Sequence, residues 1–110
     1  EASNMVSPLH LAAENGHLDV AKLLVEAGGR ELVFATDSEG ATCALTACSR
    51  SHEHVLRYLG EQGGLELLLM KQKDERTCAH AAASSGCVGA LKYLFQECGI
   101  QLFKEVGSWS

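Results

Sequence analysis

The sequence predicts an all-α solenoid in which stacked helix pairs are joined by projecting β-hairpin-like loops. Three segments align with a constant offset of 35 residues (42 − 7 and 77 − 42): 7–13, 42–48 and 77–83. The alignment continues as far as glycine-containing pairs at 28–29, 63–64 and 98–99. A fixed period of about 20–50 residues is typical of repeat arrays, in which each unit buries its apolar face only against its neighbours. We therefore expect the function to lie in a surface built from several units.

The composition of the 110-residue chain argues against several classes of protein. A net charge of −5 disfavours a nucleic-acid-binding protein, which would usually carry a basic field. No apolar run approaches the roughly 18 residues of a membrane-spanning helix, so no membrane contact is expected. The five cysteines are an odd number, which favours free thiols in a reducing compartment, the cytoplasm or the nucleus. No residue pattern indicates a cofactor.

The first unit contains the start and stop signals of two helices. Ser7 followed by Pro8 predicts a helix start, because the hydroxyl can accept from free backbone N–H groups and proline suits the first helical position. This helix is expected to end at about Asn15, before Gly16. A second, amphipathic helix is predicted over residues 18–27, closed by the glycines at 28–29.

The later units repeat this plan. Helices are predicted over 43–49, 53–62, 78–85 and 88–97, with connectors over 30–41 and 65–76. Each connector is expected to end in a hairpin turn, since residues 37–40 carry Asp, Ser and Gly. In the next unit Glu75 stands where the first connector has Gly40, which predicts a more open turn. Residues 100–106 match the start of a further connector.

Residues 7–28 resemble the ankyrin repeat, whose signature is T-P-L-H-x-A and whose period is 33. Here residues 7–12 read S-P-L-H-L-A, and the period is 35, with the two added positions predicted at 30–31 and 65–66. The later units also carry Cys43 and Cys78 in place of proline. The resemblance implies stacked helix pairs, hairpins projecting at right angles, and a concave groove of hairpin tips and first helices that binds other proteins. It also implies that the chain is not an enzyme.

The chain is predicted to be one ankyrin-repeat domain over residues 1–110. The units are expected at about 1–36, 37–71 and 72–106, with 107–110 beginning a truncated fourth unit, as in a fragment of a longer protein. Neither end shows the polar face of a capping repeat, so end-to-end self-association is expected. Two alternatives to a binding module remain open. In the first, the segment targets or regulates a larger enzyme or channel; in the second, it is a purely structural stretch of a longer array.

The resemblance places the partner-binding surface on hairpin tips and first-helix ends. The residues at these positions are Asn4, Val6, Glu14, Asn15, Thr36, Ser38, Glu39, Arg50, Lys71, Lys73, Asp74, Arg76, Ser84 and Ser85, and the surface extends to Ser3, Ala41 and Ser49. Four of them are basic in an acidic chain, which favours a partner protein with an acidic segment. The alternative is a solvated charged loop. Trp109 is expected at a further hairpin tip.

Other constellations have a structural interpretation beside a chemical one. His10 and His80 occupy the signature histidine position, which in the family ties a helix start to a neighbouring loop. His17, His52 and Cys87 stand one repeat apart, a spacing of roughly 10 Å in this family, which is too wide for zinc bonds of about 2.0–2.1 Å.

A nucleophile pair of Cys48 and His52 would need an orienting third group, and the sequence supplies none in register.

Leu9 is replaced by alanine in the later units, while Leu23 is replaced by Tyr58 and Tyr93. We predict that these rings fill the space left in the first helices, because protein interiors pack to near-crystal density.

Overall fold

The computed structural model describes residues 7–99 as six helices in sequence. They are α1 (Pro8–Asn15), α2 (Leu18–Val33), α3 (Cys43–Ser49), α4 (Glu53–Leu68), α5 (Cys78–Ser85) and α6 (Val88–Cys98). The first helix of each pair begins at 8, 43 and 78, and the second at 18, 53 and 88. Both series have the spacing of 35 residues, so the predicted helix-pair repeat and the all-α class are confirmed.

The helices form two layers, with α1, α3 and α5 in one and α2, α4 and α6 in the other. Each helix packs on its partner within the unit and on its equivalent in the next unit, as in α1 on α3 and α2 on α4. No helix within residues 7–99 is long and apolar enough to cross a membrane. The boundaries of the three units and of the domain stay predictions, and residues 1–6 and 100–110, including Trp109, lie outside the described residues.

Small side chains dominate the buried faces of the first helices. The buried residues there include Ala12, Ala13, Ala44, Ala47, Cys48, Ala79 and Ala82. Larger side chains fill the space toward the second layer, where Leu56, Leu59 and Leu94 are fully buried. Small residues allow neighbouring first helices to approach closely, and the leucines supply most of the apolar area removed from water.

Hydroxyl residues stand at the start of each first helix, as predicted for Ser7. Ser7 Oγ accepts from the backbone N–H of His10 at 3.2 Å, and Thr42 Oγ1 accepts from that of Leu45 at 3.1 Å. In the third unit Thr77 and His80 form a capping box, in which the backbone N–H of Thr77 donates to Nδ1 of His80 at 3.1 Å. The start of each first helix therefore has a side-chain partner for a backbone group that would otherwise lack one.

The helix α6 ends one residue later than predicted, whereas α2 and α4 are each six residues longer than predicted (33 − 27 and 68 − 62). Each bends at the second glycine of its pair, Gly29 (φ 69°, ψ −159°) and Gly64 (φ 69°, ψ −162°), and then continues for one more helical turn. This backbone region is open essentially only to glycine. The extra turn buries Val33 and Leu68 to 1% exposure, and this burial is why a segment predicted to be an irregular connector becomes helical. The predicted added positions, 30–31 and 65–66, lie in this turn.

The two connectors end in equivalent hairpin turns. The N–H of Gly40 donates to the carbonyl of Asp37 at 3.0 Å, and the N–H of Glu75 donates to that of Gln72 at 2.9 Å. Glu75 adopts the positive φ of 74° that Gly40 has at 83°, so the prediction of a more open turn was wrong. The N–H of Lys73 donates to the Glu39 carbonyl at 2.8 Å and joins the two turns.

Tyr93 and Tyr58 occupy equivalent positions but different environments. Tyr93 is 6% exposed, and its hydroxyl lies where a side chain on Gly60 of α4 would begin. The residue equivalent to Gly60 in the first unit is Val25, and Tyr58, which neighbours it, stays half-buried. The Tyr93 ring therefore fills space left by a glycine of the neighbouring second helix, and the filling of space beside the alanines of the first helices stays a prediction.

Ser51 is a position where substitution should stabilise the protein. It has φ of 63° at the end of α3, where the equivalent residues are Gly16 (φ 73°) and Gly86 (φ 75°). We expect Ser51→Gly to raise the free energy of unfolding by about 0.5–1 kcal/mol in urea denaturation, because glycine removes the cost of a left-handed conformation. Ser84→Gly, at a helical position in α5, is the matched control and should lower stability by roughly 0.5 kcal/mol. Equal stability of Ser51→Gly and wild type would contradict this account.

The contact between Gly60 and Tyr93 predicts a strong coupling. Tyr93→Ala should lower stability by about 3 kcal/mol, and Gly60→Val by about 1–3 kcal/mol through overpacking. In a Tyr93→Leu background, which restores the leucine of the first unit, Gly60→Val should be much less destabilising. A double-mutant cycle in urea measures the coupling, and additive effects would show that the two residues do not share one space.

Candidate functional site

A cavity lies between the second and third units on the side of the hairpins. It has a volume of about 220 Å³ and is lined by Leu45, Ser49, Gln72, Arg76, Ala81, Ser84 and Ser85. These residues come from α3, α5 and the turn between 72 and 76. Leu45 and Ala81 are the apolar residues of the lining, while the remaining lining side chains are polar or charged.

A second cavity, of about 280 Å³, lies between the first and second units. Its lining residues are Glu14, Asp37, Glu39, Ala41, Leu45, Thr46, Ser49, Arg50 and Gln72. Leu45, Ser49 and Gln72 line both cavities. The two cavities are therefore neighbouring parts of one groove, bounded by hairpin turns on one side and by first helices on the other.

The structure brings about half of the predicted partner-binding residues into this groove. The ones that line it are Glu14, Glu39, Ala41, Ser49, Arg50, Arg76, Ser84 and Ser85, while Ser3 lies outside the described residues. Asn15, Thr36, Ser38, Lys71, Lys73 and Asp74 belong to the same hairpins and helix ends without lining either cavity, and Asn4 and Val6 lie outside the described residues.

Sequence reasoning missed several lining residues. Asp37 and Gln72 are in register with each other at the first position of each turn, and this equivalence could have identified both. Leu45, Thr46 and Ala81 have no such signal, because their types are those of ordinary helix residues. That the groove residues contact a partner stays a prediction.

The four predicted basic residues divide into two pairs. Arg50 Nη2 lies 3.0 Å from Glu14 Oε2, and Lys71 Nζ lies 3.5 Å from Glu75 Oε1 within its own hairpin. Among residues 7–99, neither Lys73 nor Arg76 forms an ion pair with a carboxylate. The positive charge that remains for a ligand is thus concentrated at the third-unit hairpin.

Asp74 organises that hairpin. Its Oδ1 accepts from Nε2 of Gln72 at 2.8 Å and from the backbone N–H of Arg76 at 3.1 Å. The Gln72 hydrogen bond, followed by the backbone N–H of Arg76, lowers the pKa of the Asp74 carboxyl below its usual value. Asp74 therefore acts as an ionised acceptor that fixes the orientation of the Gln72 side chain at the edge of the groove.

Three histidines link neighbouring units through backbone carbonyls. Nε2 of His10 donates to the Ala41 carbonyl at 2.8 Å, which confirms for His10 the predicted tie between a helix start and the next loop. Nε2 of His52 donates to the Glu14 carbonyl at 3.1 Å, and Nε2 of His54 donates to that of Gly16 at 3.0 Å. In the described range no group of three or more His, Cys, Asp or Glu side chains is arranged to hold a metal ion.

The cysteines have the character of buried thiols. A hydrogen bond with Cys78, together with burial, raises the pKa of Cys48 well above its usual value. Burial raises the pKa of Cys43 to about 12 and that of Cys98 to about 11. Since the thiolate is the nucleophile, these shifts oppose the reactivity that a pair of Cys48 and His52 would need. His52 also directs its Nε2 to the Glu14 carbonyl and not to a thiol.

Comparison with known proteins agrees with this geometry. A family model of ankyrin repeats, in three copies, matches residues 9–105. A search of curated proteins gave no significant match. Ankyrin repeats are generally protein–protein interaction modules and are typically non-catalytic. Because the match covers most of the chain and the helix pairs recur every 35 residues, this protein belongs to the ankyrin-repeat family.

Proposed function

We propose that the chain binds another protein through the groove between its hairpin turns and first helices. The observation that carries this function is the continuity of the two cavities, which share three lining residues. Such a groove offers an extended surface with backbone held rigidly on both sides. Packed helices form one wall, and the other consists of turns joined by the hydrogen bond from Lys73 to Glu39.

The partner that fits this groove best carries an acidic segment. Lys73 and Arg76 have no carboxylate within ion-pair distance among residues 7–99. Arg50 contributes less, because Glu14 already neutralises it across the first cavity. Complementary charge of this kind guides the encounter and selects among partners more than it adds affinity.

A second function, stacking with a further ankyrin-type unit, is favoured by the free face of the first helix pair. Val20 is 46% exposed, whereas the equivalent Val55 and Ala90 are fully buried. Leu23 is 67% exposed, whereas the equivalent Tyr93 is 6% exposed. The face thus keeps the apolar character of an interface between units, and a second copy of this chain is the occupant we propose.

Charge reversal tests the groove. We expect the pair Lys73→Glu and Arg76→Glu to lose most of the proteins that wild type captures from a cell lysate, because both cations are reversed where a partner would dock. The matched control is Arg30→Glu with Lys92→Glu, which makes the same charge change on the second-helix layer and should leave the captured set intact. Identical captured sets from wild type and the groove variant would contradict an acidic partner at this site.

Stacking of copies is tested by sedimentation velocity over a rising protein concentration. The average sedimentation coefficient of wild type should increase with concentration, and Leu23→Glu should abolish the increase by placing a charge in the apolar face. Leu65→Glu is the control, since Leu65 is also exposed, at 43%, but lies in the turn after Gly64. A wild type that stays monomeric throughout would exclude self-association through this face.

A further inference from the structure

We propose that the cavity between the second and third units is an anchor for one carboxylate side chain of the partner. This anchor rests on the proposed groove-binding function and adds to it the residue type that the partner inserts. The residue of this chain that would contribute most to binding the carboxylate is Arg76, which lines the cavity together with Ser49, Ser84 and Gln72.

The first cavity provides an internal comparison for the second. A shift of 35 residues converts Glu14 into Ser49 and Arg50 into Ser85. In the first cavity the Glu14 carboxylate occupies the groove and lies 3.0 Å from the Arg50 guanidinium. In the second cavity both members of this pair are replaced by serine, so the place of the acid is taken by a much shorter side chain.

The second cavity retains a cation although it has lost the acid. Ala41 in the first hairpin corresponds to Arg76 in the second, so the arginine that lines this cavity comes from the turn and not from the first helix. No carboxylate among residues 7–99 is within ion-pair distance of it. A guanidinium presents a planar fork of donors that matches a carboxylate, and a partner carboxylate would therefore restore the pairing that Glu14 and Arg50 make within the chain.

The polar lining suits the same ligand. Asp74 accepts from one N–H of the Gln72 amide and so fixes its orientation, while the hydroxyls of Ser49 and Ser84 can both donate to an oxygen. Ser85 is committed elsewhere, because its hydroxyl donates to the Cys48 carbonyl at 2.7 Å. The exposed carboxylate of Asp74 interacts electrostatically with the Arg76 guanidinium, but its hydrogen bonds are made with Gln72 and the backbone N–H of Arg76.

The volume of the cavity favours the side chain of a partner residue over a free metabolite as its occupant. Pockets that enclose drug-sized molecules have volumes of about 300–1,000 Å³, whereas this cavity has about 220 Å³. One aspartate or glutamate side chain fits in this space, while the rest of the partner segment would lie along the groove toward Glu39 and Arg50.

The first experiment uses the minimal ligand. N-acetyl-L-glutamate amide is titrated into the ¹⁵N-labelled protein, with N-acetyl-L-glutamine amide as the neutral match. We expect saturable shifts of the Arg76 Nε–H and of the Ser84 and Ser85 amides with a dissociation constant on the order of 1 mM or weaker, only for the acid. Arg76→Gln should weaken this binding roughly threefold to fivefold, and Lys92→Gln on α6 should not change it.

A further test uses a substitution that places a carboxylate of the chain itself in the cavity. Ser49→Glu places a carboxylate at the position equivalent to Glu14 and should abolish the shifts, whereas Ser49→Gln, which has the same size without the charge, should reduce them less. Circular dichroism verifies that each variant keeps its helices. Equal responses to the acid and the amide, or full binding by Arg76→Gln, would overturn the carboxylate anchor.

A second experiment separates failure of the anchor from failure of the groove. A random peptide library is selected on wild type and on Arg76→Gln. Enrichment of one Asp or Glu position on wild type alone supports the anchor. Groove-binding peptides without that enrichment would reject the anchor and leave the proposed function standing, and a library that yields no groove binders would count against the proposed function itself.

Discussion

The close side-by-side packing of the first helices is the constraint on which the rest of this structure depends. Alanine and cysteine at the buried positions of α1, α3 and α5 allow that approach, because larger side chains would separate the helices and open voids between units. The approach in turn brings His10 and His52 within reach of carbonyls in the neighbouring unit. The His10 contact ties the first hairpin to α1, and the His52 contact ties the start of α4 to the end of α1, so both help to hold neighbouring units in place around the groove.

Much of the fold could be predicted, because the same pattern of helix starts and ends occurs in three units of the sequence. The start of α1 could be predicted from Ser7 and Pro8, and the starts of α3 and α5 followed from their register with the first unit. The extra turn after Gly29 was not readable, because its helical form depends on burial of Val33 against other elements. The fit of Tyr93 against Gly60 was also inaccessible, because it joins residues 33 positions apart that no single unit contains together.

The candidate site, like the fold, could be predicted from the sequence only in part. Alignment of the units placed Glu14, Arg50 and Arg76 on the groove side correctly. The basic residues there could be counted from the sequence, but it could not show that Arg50 forms an ion pair with Glu14 and that Arg76 forms none within residues 7–99. That difference depends on which neighbouring side chains reach across between units, and reach is a property of three-dimensional placement. The units thus share one arrangement of helices and turns but differ in charge, because a few residues at equivalent positions differ.

The pattern of helix packing has a mechanical consequence. The substantial contacts of each helix in residues 7–99 are with its own partner and with the adjoining pair. A load applied along the stacking direction is then carried in series by the two junctions between the three pairs. Under tension such a molecule would yield at its weaker junction first and extend in discrete steps, so it would behave as a short spring with a graded response to force.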